Sequence, residues 1–123
     1  MTILMKRGEI WTSAGGSDYG AKPRPVVIIQ DDRYDSTTSI TVCPLTSHPQ
    51  STQVARLPVM PNDLNGLRLP CRLMVDKIST VPRNKLRAKI GQLDDKDMTR
   101  LNRSIIVFLG IAGMMPDEDP ADE

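Results

Sequence analysis

Pro25-Val26-Val27-Ile28-Ile29-Gln30 is the stretch on which the fold turns. Four consecutive β-branched residues form an apolar run too short for a typical helix, the pattern of a strand covered on both faces. Lys22-Pro23-Arg24 stands directly before it, so prolines on either side stiffen the backbone of Arg24 and aim its guanidinium from the strand's entrance. Upstream, Gly8 to Ser13 sets Ile10 and Trp11 among polar residues and ends at Ala14-Gly15-Gly16, a short first strand closed by a glycine turn. Between the two, Gly15 to Pro23 has the composition of a surface loop. Downstream, Asp31 to Ser36 is turn-like, and Ser39 to Leu45 returns to β-formers that pair with the central run as a hairpin.

Further strands are expected over Val54 to Val59 and, after a Pro61 to Gly66 loop, over Arg72 to Ile78, with a short last one over Lys89 to Leu93. From Asp94 the period changes. Met98, Leu101, Ile105, Phe108, Leu109 and Ala112 fall on one helical face, with Asp94 or Asp95 as N-cap and Gly113 and Pro116 as stops. Short strands followed by one amphipathic helix make the fold class mainly β with a C-terminal helix, an antiparallel barrel or strongly bent sheet.

The chain's 123 residues fit a single domain, assigned to 1–113, with residues 114–123 as an acidic, disordered tail. Aromatics are only 3% of residues, so the core must be built from Val, Ile, Leu and Met, and base stacking on aromatic platforms is disfavoured. The net charge of +1 averages two unlike parts: five of the fifteen acids lie from Met114 onward without a base, which leaves the preceding body basic. The tail reads either as a solubilising end or as a segment lying over the basic body. Cys43 and Cys71 have neither metal-ligand spacing nor the density of a disulfide scaffold, and His48 is the single histidine, so reduced thiols in a cytoplasmic protein and no metal centre are expected. No run of about 18 apolar residues predicts a membrane span.

No phosphate-binding glycine loop, paired-histidine site, nucleophile elbow or dinucleotide fingerprint occurs in the sequence. What remains is Arg, Lys, Thr, Ser and Asp at strand ends, an inventory suited to holding a phosphodiester without a metal. Arg24 fits bidentate phosphate binding, its plain alternative being a surface salt bridge. Thr46 and Ser47 can donate to phosphate oxygens or make ordinary turn hydrogen bonds. His48 is a candidate general base because a histidine's ordinary pKa lies near neutrality, although a lone loop histidine beside Pro49 is more often a bystander. Asp76, expected within a strand, reads as a base, a partner of Arg24 or an outward charge. Lys85, Arg87 and Lys89 alternate along an extended segment, either a solvated face or a track for an RNA backbone.

In this order and spacing, Lys6-Arg7-Gly8-Glu9-Ile10-Trp11, Lys22 to Gln30, Val42-Cys43-Pro44-Leu45-Thr46-Ser47, Val75-Asp76-Lys77-Ile78-Ser79-Thr80-Val81 and Ile90-Gly91-Gln92-Leu93 resemble the MazF/PemK family of toxin–antitoxin ribonucleases. The resemblance runs nearly to Ala112. It implies an SH3-like antiparallel β-barrel of the MazF, CcdB and Kid kind with a C-terminal helix. It also implies a homodimer that cuts single-stranded RNA at short sequences without cofactor or metal, and an antitoxin that blocks the RNA groove. By the family pattern Arg24 is the catalytic arginine of the Arg-Pro motif, Thr46 is the threonine after the third strand and Asp76 matches an acid that some members use in catalysis, so these three are the expected catalytic residues; Asp18, Lys22, Ser47, His48 and Lys77 are expected to bind RNA.

Two departures stand out. The loop reads Gly16-Ser17-Asp18-Tyr19 with one additional residue before Arg24, and the position two before Asp76, an arginine in some members, is Met74, with Arg72 two further back. The alternatives are a same-fold toxin that poisons a protein such as gyrase, as CcdB does, and a catalytically silent nucleic-acid-binding barrel.

Overall fold

The computed structural model describes residues 4–14, 23–48 and 55–114. Its elements are β1 (Glu9–Ser13), β2 (Arg24–Ile28), β3 (Ser39–Thr46), β4 (Arg56–Val59), β5 (Cys71–Met74), β6 (Ser79–Pro82), β7 (Leu86–Gln92) and α1 (Asp95–Phe108). The strands form one antiparallel sheet in the order β4-β5-β3-β2-β1-β7, with β6 also paired to β3. β3 is long enough to bond β6 through Ser39–Val42 and β5 through Leu45 and Thr46, on the side away from β2, which bends the sheet sharply. The result is barrel-like, although no pairing of β4 with β7 closes it among the described residues.

The central run behaves as its composition dictates, because successive side chains of β2 feed two different cores. Val27 joins Ile10, Cys43, Leu45, Leu73 and Leu101 in the cluster between sheet and helix. Val26 and Ile28 join Trp11, Ile40, Val42, Met5 and Leu86 on the other face. Only three residues besides the apolar ones are buried among those described, Glu9, Thr46 and Asn65. Asn65, fully buried, organises the loop between β4 and β5: its Oδ1 accepts from Asn62 N and Leu67 N, and its Nδ2 donates to the Met60 carbonyl. The loop lies against Gly91 of β7, where a Cβ would collide with the Asn65 backbone, and Gln92 N donates to the Leu64 carbonyl.

Three expectations need correction. The strand expected over Arg72–Ile78 ends at Met74; a 3-10 turn, Val75–Lys77, follows, and β6 begins anew at Ser79, so Asp76 sits on a turn and not in a strand. The turn is where the chain leaves the β5 position alongside β3 and re-enters at the β6 position. The last strand starts at Leu86, three residues before the expected Lys89, while Lys85 lies in a second 3-10 turn; of the three alternating cations only Arg87 and Lys89 share a strand. The helix begins as expected, with Asp94 Oδ1 accepting from Asp97 N, but ends at Phe108, and Gly110 takes a positive φ of 79° just beyond it. Leu101 is buried, whereas Phe108 and Leu109 are exposed.

Candidate active site

β3 carries the centre of the site, and its register with its neighbours decides what meets there. Val26 pairs with Pro44, and the same register continued by two residues sets Arg24 level with Thr46 on one face. Thr46 is paired on its other side with Arg72, and Arg72 in turn with Pro58. Arg24, Thr46, Arg72 and Pro58 therefore form a row across β2, β3, β5 and β4, with about 4.8 Å between strands. This row ends the face whose interior is the Trp11 and Val26 cluster. Hydrophobic burial thus fixes the strands while their polar ends project together.

Thr46 is buried, and its Oγ1 accepts the His48 backbone N–H at 3.1 Å, which shapes the exit from β3. An acceptor role leaves the hydroxyl proton free to point elsewhere. Ser47 and His48 are exposed beside it, and Arg24 is half-buried with its Nε enclosed. Asp18 and Lys22 lie outside the described residues. Lys77 is exposed on the 3-10 turn that carries Asp76.

Asp76 is engaged by an arginine that the sequence reading did not single out. Arg56 Nε donates to Oδ1 at 2.7 Å and its terminal nitrogen to Oδ2 at 3.1 Å, a two-point grip in which the Arg56 side chain is only 6% exposed. That hydrogen bonding holds the Asp76 carboxyl below its usual range, against an opposing effect of burial. The approach is braced by backbone: Ala55 has a φ of 67°, rare for a residue with a Cβ, and its carbonyl accepts Val75 N–H. Arg56 pairs with Met74, so a cation stands across the ladder from the position where the sequence lacks one. No sequence spacing signals this pair, since 20 residues separate its members.

Beside Thr46 a groove of about 400 Å³ opens between the end of β3 and the β4–β5 loop, lined by His48, Pro58, Met60, Leu69 and Arg72 among others. Arg100 of α1 donates to the Pro58 carbonyl at 3.0 Å and ties that wall to the helix. No group of three or more potential metal ligands occurs among the described residues.

The family of PemK-like, MazF-like toxins of type II toxin–antitoxin systems matches residues 6–109. The chain belongs to that family. A probable endoribonuclease MazF of Mycolicibacterium smegmatis is 47% identical over 109 residues, covering 89% of this chain and all of the relative. An endoribonuclease MazF of Staphylococcus saprophyticus is 28% identical, covering 88% and 93%. Among solved structures, the Mycobacterium tuberculosis toxin MazF-mt6 superposes with a TM-score of 0.67 at 26% identity, over 82% of this chain and 95% of that one. An endoribonuclease from a mycobacterial species, solved in complex with its cognate antitoxin, gives a TM-score of 0.70 over 88% and 97% of the two chains; at 21% identity it supports the fold alone. The MazF-like fold thus agrees with the expected mainly β architecture. No helix among the described residues is long and apolar enough to cross a membrane.

Proposed function

We propose that this MazF-like toxin is a sequence-specific endoribonuclease that cuts single-stranded RNA without a metal, acting in the cytoplasm. The observation that carries the reading is the row of Arg24, Thr46 and Arg72 at the ends of three neighbouring strands, two arginines flanking a buried threonine. In the proposed step the ribose 2′-oxygen attacks the adjacent phosphorus. A new O–P bond forms as the bond to the 5′-oxygen breaks, leaving a 2′,3′-cyclic phosphate and a 5′-hydroxyl. RNA supplies its own nucleophile, so no activated water is required.

Arg24 stabilises the charge that accumulates on the phosphorane, where a fixed guanidinium is most effective, and helps protonate the leaving 5′-oxygen, which becomes the 5′-hydroxyl. Solvent restores that proton to Arg24 and takes the one that Asp76 has accepted. Thr46 positions the phosphate through its hydroxyl proton. Asp76 accepts the 2′-OH proton: a carboxylate offers about four acceptor sites, and Arg56 occupies two. Asp18 is the alternative acceptor of that proton. Lys22, Ser47, His48 and Lys77 contribute RNA contacts.

Family membership supports a cognate antitoxin that covers the RNA groove and a homodimeric assembly. The dimer has independent support in Val107, Phe108, Leu109 and Ile111, apolar residues at and beyond the end of α1 that remain exposed in the single chain. The test is incubation of the purified protein with a long unstructured RNA in EDTA. Fragments ending in cyclic phosphate are expected, with cleavage lost by at least 100-fold in Arg24→Ala and abolished by a 2′-deoxy nucleotide at the cut. Cleavage of the deoxy substrate at the normal rate overturns the mechanism, and the absence of any fragments overturns the nuclease reading.

A further inference from the structure

Arg72 belongs to the row that carries the proposed function but performs no step of the reaction described there, and it is directly paired with Thr46. It also lines the groove of about 400 Å³ that Pro58, Met60 and Leu69 line with apolar surface. Register and cavity are independent observations, and both bring Arg72 to the same place. Met60 and Leu69 are 64% and 59% exposed, so they add little to the core and present bare hydrophobic surface beside a cation. Rigidity comes from beneath: the buried Asn65 amide holds the Met60 carbonyl, and Arg100 holds the Pro58 carbonyl.

We propose that Arg72 and this groove form a second nucleotide subsite, on the side of Thr46 away from Arg24. Arg72 holds a backbone phosphate next to the scissile one, and the neighbouring base lies against Met60, Leu69 and Pro58. Arg24 and Arg72 stand two strands apart, about 10 Å between backbones. That separation lets their long side chains converge on one phosphate or address two successive ones. A nucleotide fits the chemistry because it joins an anion to a flat face that can lie on apolar surface. With few aromatics in the chain, aliphatic and proline surfaces take the place of a stacking ring. The groove thereby selects the nucleotide flanking the cut. The subsite rests on the RNA-cleavage reading and extends it.

The test uses an oligoribonucleotide of the mapped cut sequence with a 2′-O-methyl group at the scissile nucleotide. Its affinity is measured between 50 and 200 mM salt by fluorescence anisotropy. Each phosphate contact to a single strand contributes about −0.7 to the slope of log K against log salt. Arg72→Gln should weaken binding and flatten that slope by about 0.7, whereas Arg72→Lys should keep it. The paired change Met60→Ala and Leu69→Ala should leave the slope unchanged but alter the relative cleavage rates of RNAs differing at one flanking nucleotide. Because both positions are exposed, this variant remains informative should Arg72→Gln not fold. An unchanged slope in a folded Arg72→Gln, or an unchanged flanking preference in the double variant, overturns the subsite. Those results leave the nuclease reading standing so long as wild-type protein cuts RNA and Arg24→Ala does not.

Discussion

The ion pair of Asp76 and Arg56 contributes to the stability of the candidate site. Both oxygens of Asp76 are engaged, and Arg56 is nearly enclosed, so Asp76→Asn would replace two charge-assisted hydrogen bonds to an enclosed guanidinium by neutral ones. A loss of about 1–2 kcal/mol is expected, since Asp76 is partly exposed, and urea unfolding measures it. The pair also sets a pH dependence. Its hydrogen bonds lower the folded Asp76 pKa, so the stabilisation is complete above the ordinary aspartate value near 4 and is lost as pH falls through the lowered one. Glu9 acts in the same direction. Burial pushes its carboxyl up, but Lys6 N–H, the Trp11 indole and Lys89 together carry it below its usual range. Melting temperature should therefore decline below about pH 4, and Asp76→Asn should show a shallower decline than wild type. Cys43 gives a separate prediction: burial first, and then the nearby Asp76, push its thiol up to about 12. It should resist thiol alkylation in the folded protein at pH 8 and react only on unfolding, as mass spectrometry would record.

Local sequence and tertiary support agree most closely in α1. Asp94 caps its first turn, Leu101 is fully buried against the sheet, and Arg7 on the opposite end of the chain donates to the Asn102 side chain. Asp94→Ala should cost about 1 kcal/mol, read as a fall in the urea midpoint with an unchanged slope. The helix then stops earlier than its apolar period suggests. Gly110 adopts the left-handed conformation and Leu109 N–H returns to the Ile105 carbonyl, closing the last turn before the apolar pattern is exhausted. β5 is the converse case. Its sequence runs on in β-forming residues, but β3 has room beside Leu45 and Thr46 for one strand and beside Ser39–Val42 for another, so the chain turns at Val75–Lys77 between them.

Across the whole molecule, the apolar residues that α1 leaves uncovered form a surface suited to a second copy of the chain. Val107→Asp, at a position 68% exposed, should leave the monomer fold intact and shift sedimentation toward monomer; unchanged dimer mass would reject that surface. The sequence by itself determined the mainly β class, the central strand, the helix and its cap, and the strand-end positions of Arg24 and Thr46. Each of these depends on periodicity or on residues adjacent in the chain, which local sterics and patterning encode. Tertiary structure alone decided that Asp76 belongs to Arg56, that Arg72 meets Thr46, and that an apolar groove opens beside them. Those meetings arise from the register of β3 with β5 and of β5 with β4, and register is a property of the packed sheet as a whole, set where two buried faces must be satisfied at once.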